Sequence, residues 1–367
     1  MRATATRSRP LRNLFEQADA ELGRMLSRAC AAAVALGLVA LLFAPLAGVS
    51  AAALSALAAS WLFFTGVAAG GVALSAAARL THGRFIEPAL PLVESPAIFF
   101  PAALALLAVV LLGAPAWMPL ASRPGMAALL ARDFGAAVAL FACASWFLRQ
   151  RRWASSRAPL AAVIYLLVYP LALSIWAVDL VMALTLAAPS GIVPVQTFMA
   201  AFLSAIAWAT LLSARRHLDA VVRLDLGRLL YGFSAFWAYL VWCSFLPVWY
   251  ANLPEEVGEI LARVDGSWAV LSWGIIVATF MVPFVALLPE AAKRNRIAVG
   301  LGATSVLVGL YGERFLLVVR PAHPGGGLRA LLFGGLVAAG VAGAFTLIVG
   351  ARIARLHSAA GEGDLAT

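Results

Sequence analysis

The chain has 367 residues, 63% of them hydrophobic and 12% charged, with a mean hydropathy of +0.94. That is more apolar surface than one soluble core can hide, so lipid must be its principal solvent. The formal net charge of +10 does not indicate nucleic acid, because the arginines fall in short clusters between apolar runs rather than along one polar face. Cys30, Cys143 and Cys243 each lie in an apolar run, with no CxxC or CxxCH spacing. This argues against a disulfide framework, a zinc ribbon and covalent haem.

In chain order, residues 1–28 are basic with no apolar stretch before Ala29, and read as a retained cytoplasmic arm rather than a cleaved signal. Runs of roughly 20 apolar residues, the length that crosses the hydrocarbon, predict transmembrane helices near 29–47, 52–78, 96–113, 131–148, 159–185, 192–213, 229–250, 267–288, 297–319 and 328–350. The fold class expected is all-α integral membrane, a single ten-helix domain over 29–350 with a cytoplasmic tail at 351–367. Of the 27 Lys and Arg, all but Arg123, Arg132, Arg263, Arg314, Arg320 and Arg329 fall on one side of this arrangement. Cytoplasmic loops retain positive charge, so both termini are placed in the cytoplasm, and an even number of spans is required to keep the bias. The outer connections, 114–130 and 251–266, are too short for a catalytic ectodomain. Small residues at helix-packing spacing, Gly66 to Gly70 and Ala339 with Gly343, predict close helix contacts.

His82, His217, His323 and His357 all fall in loops or the tail. A b-type haem held between helices needs axial ligands at membrane depth, and the sequence offers no histidine there. No Walker, HExxH or GxSxG motif occurs, which leaves ATP-driven transport and membrane hydrolysis without support. No cofactor or metal is expected on this chain.

Ionisable side chains inside a span are costly and mark sites by default. Asp133 follows Arg132 at the outer start of the fourth helix, where an adjacent ion pair or a helix-dipole contact is an equal alternative to function. Asp179, in IWAVDLVMAL, has no basic residue within two turns in sequence, which favours function. Glu313 and Arg314, in LYGERFLLVV, lie toward the outer end of the ninth helix and point about 100° apart, so either can pair with Asp179 or Asp133 across the bundle. Every acid assigned to a span falls in the outer half. The inner half offers Tyr231, Ser272, Thr279, Thr304 and Ser305, which support a water chain or bond carbonyls within their own helices. In the outer loop, Trp249 and Tyr250 form an interfacial belt. Asn252 to Pro254 stops the seventh helix, and Glu255 and Glu256 open a short amphipathic helix. Phe236, Trp237, Tyr239 and Trp242, just before this loop, suit a planar ligand, lipid or a partner surface.

The stretch RLDLGRLLYGFSAFWAYLVWCSFLPVWYANLPEEVGEILARVDGSW, followed by MVPFVALLPEAAKRNR, resembles the second NrfD/PsrC-like membrane subunit of alternative complex III. The resemblance is strongest over 215–320, weaker over 159–213, where VDLVM is similar to the family's VDWVM, and rests mainly on hydropathy in the first four spans. It implies two four-helix bundles with a peripheral helix at either end. It also implies a bacterial inner membrane and assembly with iron–sulfur and multihaem cytochrome subunits and a paralogous NrfD-like subunit. Quinol or menaquinol would be the substrate of the complex. The residues carried over are Asp179, Tyr250, Asn252, Glu255, Glu256 and Glu313, the last at a position where the family commonly has aspartate. Two departures are clear: the family's D-P-H-W-F-S-T after VDWVMSL is absent from VDLVMALTLAAPSGIVPVQTF, and a histidine common near Thr279 is absent from ATFMVPF. The expected function is an anchoring subunit of a quinol oxidoreductase that conducts protons in its outer half, with Asp133, Asp179, Glu313, Arg314 and the inner-half Thr279 as proton-path candidates. The alternatives are a stand-alone permease and the quinol-oxidising anchor of a polysulfide- or nitrite-reductase-type enzyme.

Overall fold

The computed structural model describes residues 8–118, 125–184, 190–215, 218–252, 254–325 and 327–364. No strand occurs among them, and they contain ten helices long and apolar enough to cross a membrane. These are α1 (Gly23–Phe43), α2 (Ser50–Leu80), α3 (Arg84–Leu112), α4 (Ala127–Arg152), α5 (Ala158–Leu184), α6 (Ile192–Arg215), α7 (Ala220–Ala251), α8 (Gly266–Ala286), α9 (Arg296–Ala322) and α10 (Leu328–Leu356). All ten coincide with spans expected from hydropathy. The largest difference is at α3, which begins twelve residues before the expected 96. Pro88, Pro91, Pro96 and Pro101 divide it into short 3₁₀ and α segments. Pro91, Pro96 and Pro101 each sit in the first turn of their segment, where the missing N–H costs little, whereas Pro88 falls inside the first one. The first apolar run also continues a helix that starts at Ser8, so residues 23–28 of the expected arm belong to α1.

The helix α2 is almost wholly enclosed, with α6 and α9 the next most buried. Its sequence explains why. Without a hydrophobic drive between helices in lipid, association depends on close backbone approach, which small residues allow. Gly66 and Gly70 face Ala201 of α6, Gly71 faces the Val93 carbonyl of α3, and a Cβ at Gly70 would collide with the Ala201 carbonyl. Small residues on several faces let α3, α5, α6, α9 and α10 pack on this one helix. The pair α4 and α5 packs on the same core, and α7 and α8 pack on α6 and α9.

The helices α1 and α10 pack on each other, and α10 on α2. A Cβ on Gly340 would lie 2.9 Å from the Gly37 Cα, and one on Gly343 would lie 2.6 Å from the Cys30 carbonyl. The small residues in contact are thus Gly340 and Gly343. Ala339, expected at this contact, is exposed, because the contact runs along Leu336, Gly340 and Gly343, and Ala339, one turn from Gly343 on its other side, lies beyond the edge of that line.

Two helix ends follow directly from local chemistry. Asn295 precedes α9 and its side chain accepts from the Ile297 N–H at 2.8 Å and the Ala298 N–H at 3.3 Å, an N-cap. Asn252 ends α7 in the left-handed conformation (φ 49°, ψ 40°) with its N–H on the Val248 carbonyl at 3.0 Å, which stops the helix where the sequence predicts.

Candidate functional site

Two of the membrane helices widen into π turns. Residues Leu130–Phe134 of α4 and Val277–Met281 of α8 form π-helical turns, the wider turns that accommodate one extra residue and recur at functional sites. Asp133 lies in the first and Thr279 in the second. Both are fully buried, and the Asp133 carboxyl oxygens and the Thr279 hydroxyl have no hydrogen-bond partner among the described residues.

Asp133 and Asp179 come together at one end of the bundle, where α4 starts and α5 ends. Arg132 Nε donates to Asp179 Oδ2 at 2.6 Å, and Arg132 Nη2 bonds the other oxygen of the same carboxylate. The basic partner that sequence could not find near Asp179 is therefore on the neighbouring helix. Arg132 turns away from an exclusive pair with its neighbour Asp133, whose carboxyl instead experiences both the like charge of Asp179 and the opposite charge of Arg132. Two carboxyls share one guanidinium, and one of them is without a donor. Trp176 of α5 fixes the wall of this group, with its indole N–H on the Asp133 carbonyl at 3.2 Å and its ring edge-on to Trp61 at 4.8 Å.

Beyond Trp176 lies a cavity of about 10 Å³, also lined by Thr197, Ser204 and Arg314, which is space for one water. Glu313, next to Arg314 in the chain, accepts from Gln196 Nε2 of α6 at 2.6 Å and from Trp237 Nε1 of α7 at 3.1 Å. Arg314 Nη2 stands 3.4 Å from the other Glu313 oxygen, and its Nη1 donates to Thr197 at 3.3 Å. Both side chains are 5% exposed. The adjacent pair thus meets each other, and neither side chain bridges to Asp179 or Asp133, whose counter-ion is Arg132. Thr279 does not join the carboxylates directly. It faces Gly309, one helical turn before Glu313 on the same face of α9, and a Cβ at Gly309 would overlap its hydroxyl.

The outer loop forms the expected short helix, Pro254–Val264. Its anchoring carboxylate is Glu259, which accepts from Arg263 at 3.2 Å and from Arg320 of α9. Arg320, expected in a loop, is buried inside the end of α9. Glu256 is half-buried, and the Glu255 side chain lies outside the described residues, as do Arg123, Arg216 and His217. Trp249 and Tyr250 are exposed, as are Phe236, Tyr239 and Trp242, whereas Trp237 is buried on Glu313. The aromatic set therefore divides into one ligand of the acid and an outward-facing group.

The expectation that acids within the spans occupy one end only is corrected by Glu94. It is buried in the α3 segment that hydropathy had assigned to a loop, and bonds Ser75 Oγ of α2 at 2.5 Å and Arg151 of α4 at 2.6 Å, at the end of the bundle opposite Asp179. The neutral groups expected in the inner half are committed elsewhere, and one of them, Ser272, lies at the Asp179 end beside the outer helix. Ser305 donates to the Ala278 carbonyl of the α8 π turn at 2.6 Å rather than to its own helix, Thr304 bonds Gly300 within α9 at 2.8 Å, and Ser272 bonds the Arg263 carbonyl at 2.6 Å. Tyr231 stacks on Phe284 and carries the Lys293 ammonium over its ring at 4.8 Å. Sequence reasoning missed Gln196, Glu94, Glu259 and Arg320 as site residues. A lone Gln in the apolar run IVPVQTF and the Glu259/Arg263 spacing were the available signals.

No family model matches the chain, and no curated protein is significantly similar to it.

Proposed function

We propose that the chain is a membrane subunit of an alternative complex III-like quinol oxidoreductase. It would anchor iron–sulfur and multihaem cytochrome subunits beside a paralogous NrfD-like subunit in the bacterial inner membrane, with both termini cytoplasmic. In this reading α2–α5 and α6–α9 are the two four-helix bundles, and α1 and α10 the peripheral pair. The observation that carries the proposal is that two features of the resemblance meet physically: the Trp237 indole of F-W-A-Y donates to Glu313, the acid retained at the family's acidic position, at 3.1 Å. Quinol is a substrate of the complex, and the exposed Trp249, Tyr250 and Asn252, with the half-buried Glu256, are the surface offered to partners.

The proton role follows from charge balance in a low dielectric. Asp133 and Asp179 face one Arg132, an arrangement in which one proton removes an unmatched charge and can be taken up or released with little reorganisation. A single water between Trp176 and Arg314 would relay toward Glu313. This accounts for an outer half-channel. Purification of the chain in mild detergent, with haem staining and mass spectrometry of what accompanies it, tests the assembly. A chain recovered with neither a multihaem cytochrome nor an iron–sulfur protein contradicts it. In the assembled complex, Asp179→Asn and Glu313→Gln are expected to slow quinol-coupled proton release at least tenfold, the scale of losing a positioned acid–base group. Unchanged release in both variants would remove the proton role while leaving the anchoring role standing.

A further inference from the structure

We propose that the cleft between the arginine-rich ends of α6, α7 and α9 binds the headgroup of an anionic phospholipid. The cleft has a volume of about 760 Å³, and its rim carries Arg215, Arg223, Arg294 and Arg296 with no carboxylate among the lining residues. Arg223 donates to the Leu218 carbonyl at 2.5 Å and to the Arg294 carbonyl at 3.4 Å, and Arg296 donates to the Ala214 carbonyl at 3.0 Å. Bonds to neutral carbonyls hold the Arg223 guanidinium in place without cancelling its charge. The neighbouring carboxylate, Glu290, takes Arg294 at 2.9 Å and Arg228 at 3.6 Å. Arg215 and Arg223, with no carboxylate partner among the described residues, thus leave the rim an excess of positive charge in the planar geometry that suits phosphate oxygens.

The floor of the cleft selects a lipid over a free anion. Below the arginines it is formed by Leu211, Ile297, Gly300 and Leu301. Ile297, Leu301, Thr304 and Val308 are all exposed and fall on one stripe of α9, which extends the apolar surface about 16 Å from the rim at 1.5 Å per residue. A headgroup on the arginines would lay an acyl chain along that stripe. Inorganic phosphate would use the rim alone. By the positive-inside distribution this rim faces the cytoplasmic leaflet, where basic pockets between membrane helices meet anionic headgroups. Arg215 and Arg223, the two rim arginines without a carboxylate partner among the described residues, match the two phosphates of cardiolipin.

The full-length chain, purified in detergent and depleted of lipid, tests the assignment by native mass spectrometry with added cardiolipin, phosphatidylcholine or inorganic phosphate. Cardiolipin is expected to bind at least tenfold more tightly than phosphatidylcholine, and millimolar inorganic phosphate is expected not to displace it. The Arg215→Gln, Arg223→Gln double variant should weaken cardiolipin roughly 30-fold, from about one contribution per basic residue lost. Arg215→Lys with Arg223→Lys should retain most of the affinity, and Arg228→Gln, outside the rim, should leave it unchanged. Equal binding of phosphatidylcholine to the wild-type chain overturns the proposal without reference to any variant. Displacement by phosphate alone reassigns the cleft to a free anion, and undiminished binding by the folded double Gln variant places the lipid elsewhere.

Discussion

Arg314, enclosed between α6 and α9, stands 3.4 Å from a carboxylate, whereas Arg223, at the arginine-rich end of α7, gives its hydrogen bonds to the Leu218 and Arg294 carbonyls. The contrast extends beyond these two. Arg132, Arg263, Arg314 and Arg320, toward one end of the molecule, are each matched to Asp179, Glu259 or Glu313. At the cleft, Arg215 and Arg223 have no carboxylate partner among the described residues, and Arg294 pairs with the exposed Glu290 at 2.9 Å. The difference shows how depth and neighbours decide what one side chain does. Inside the bundle a guanidinium is tolerated only with its counter-ion, because the uncompensated charge is far costlier than the pair. At the interface water and headgroups supply the compensation, and the charge remains available for binding.

The largest expected effect breaks the buried side of this comparison. Arg314→Leu leaves Glu313 with only the neutral donors Gln196 and Trp237, and is expected to destabilise the folded protein by about 3–5 kcal/mol, the cost of stranding one member of a buried pair. Unfolding in a graded detergent mixture, followed by tryptophan fluorescence, measures it. The double variant Arg314→Leu, Glu313→Leu should recover most of that loss, and a double variant less stable than the single one would show that the pair itself is a net stabiliser. A smaller effect sharpens the role of packing at the same end. Gly309→Ala forces a Cβ onto the Thr279 hydroxyl and should cost about 1–3 kcal/mol by overpacking. Thr279→Ala in that background should return part of it, measured by the same unfolding. Failure of the second change to help would place the strain on the α8 backbone instead of the hydroxyl.

The smallest effect lies outside the membrane, beside the cleft. Arg294, through its hydrogen bond, and the charge of Arg228 hold the exposed Glu290 carboxyl below the usual glutamate value of 4.5. A depressed value in the folded state means that the pairing contributes stability above pH 4.5 and loses it as the pH falls through the lowered value. Glu290→Gln should therefore melt slightly below wild type at pH 7, and the gap should close below that range. A constant gap across the pH series would assign the difference to something other than ionisation. Comparison with the Arg314 variant then ranks an exposed pair against a buried one.

Much of this was legible in the sequence. Ten spans follow from apolar length alone, and the α7 stop at Asn252 and the outer helix after Pro254 follow from turn and capping chemistry. Asp133, Asp179, Glu313 and Arg314 stand out because charge inside a span is rare. Their pairing could not be read, since Arg132 reaches Asp179 across 47 positions and Gln196 reaches Glu313 across 117. Such contacts depend on which helices adjoin. Glu94 was misplaced because four prolines mask a helix from a pattern that treats proline as a break, although three of them, Pro91, Pro96 and Pro101, open new short segments.

The sequence by itself determined the number of membrane helices and the rarity of charge within them, because the hydrocarbon imposes length and apolarity on every span independently of its neighbours. Tertiary structure alone decided which charges meet, where the two π turns place Asp133 and Thr279, and which arginines line a cleft. Those outcomes depend on helix rotation and adjacency. These are set by the close glycine and alanine contacts around α2 and between α1 and α10, whose effect is a matter of shape between surfaces rather than of composition along one helix.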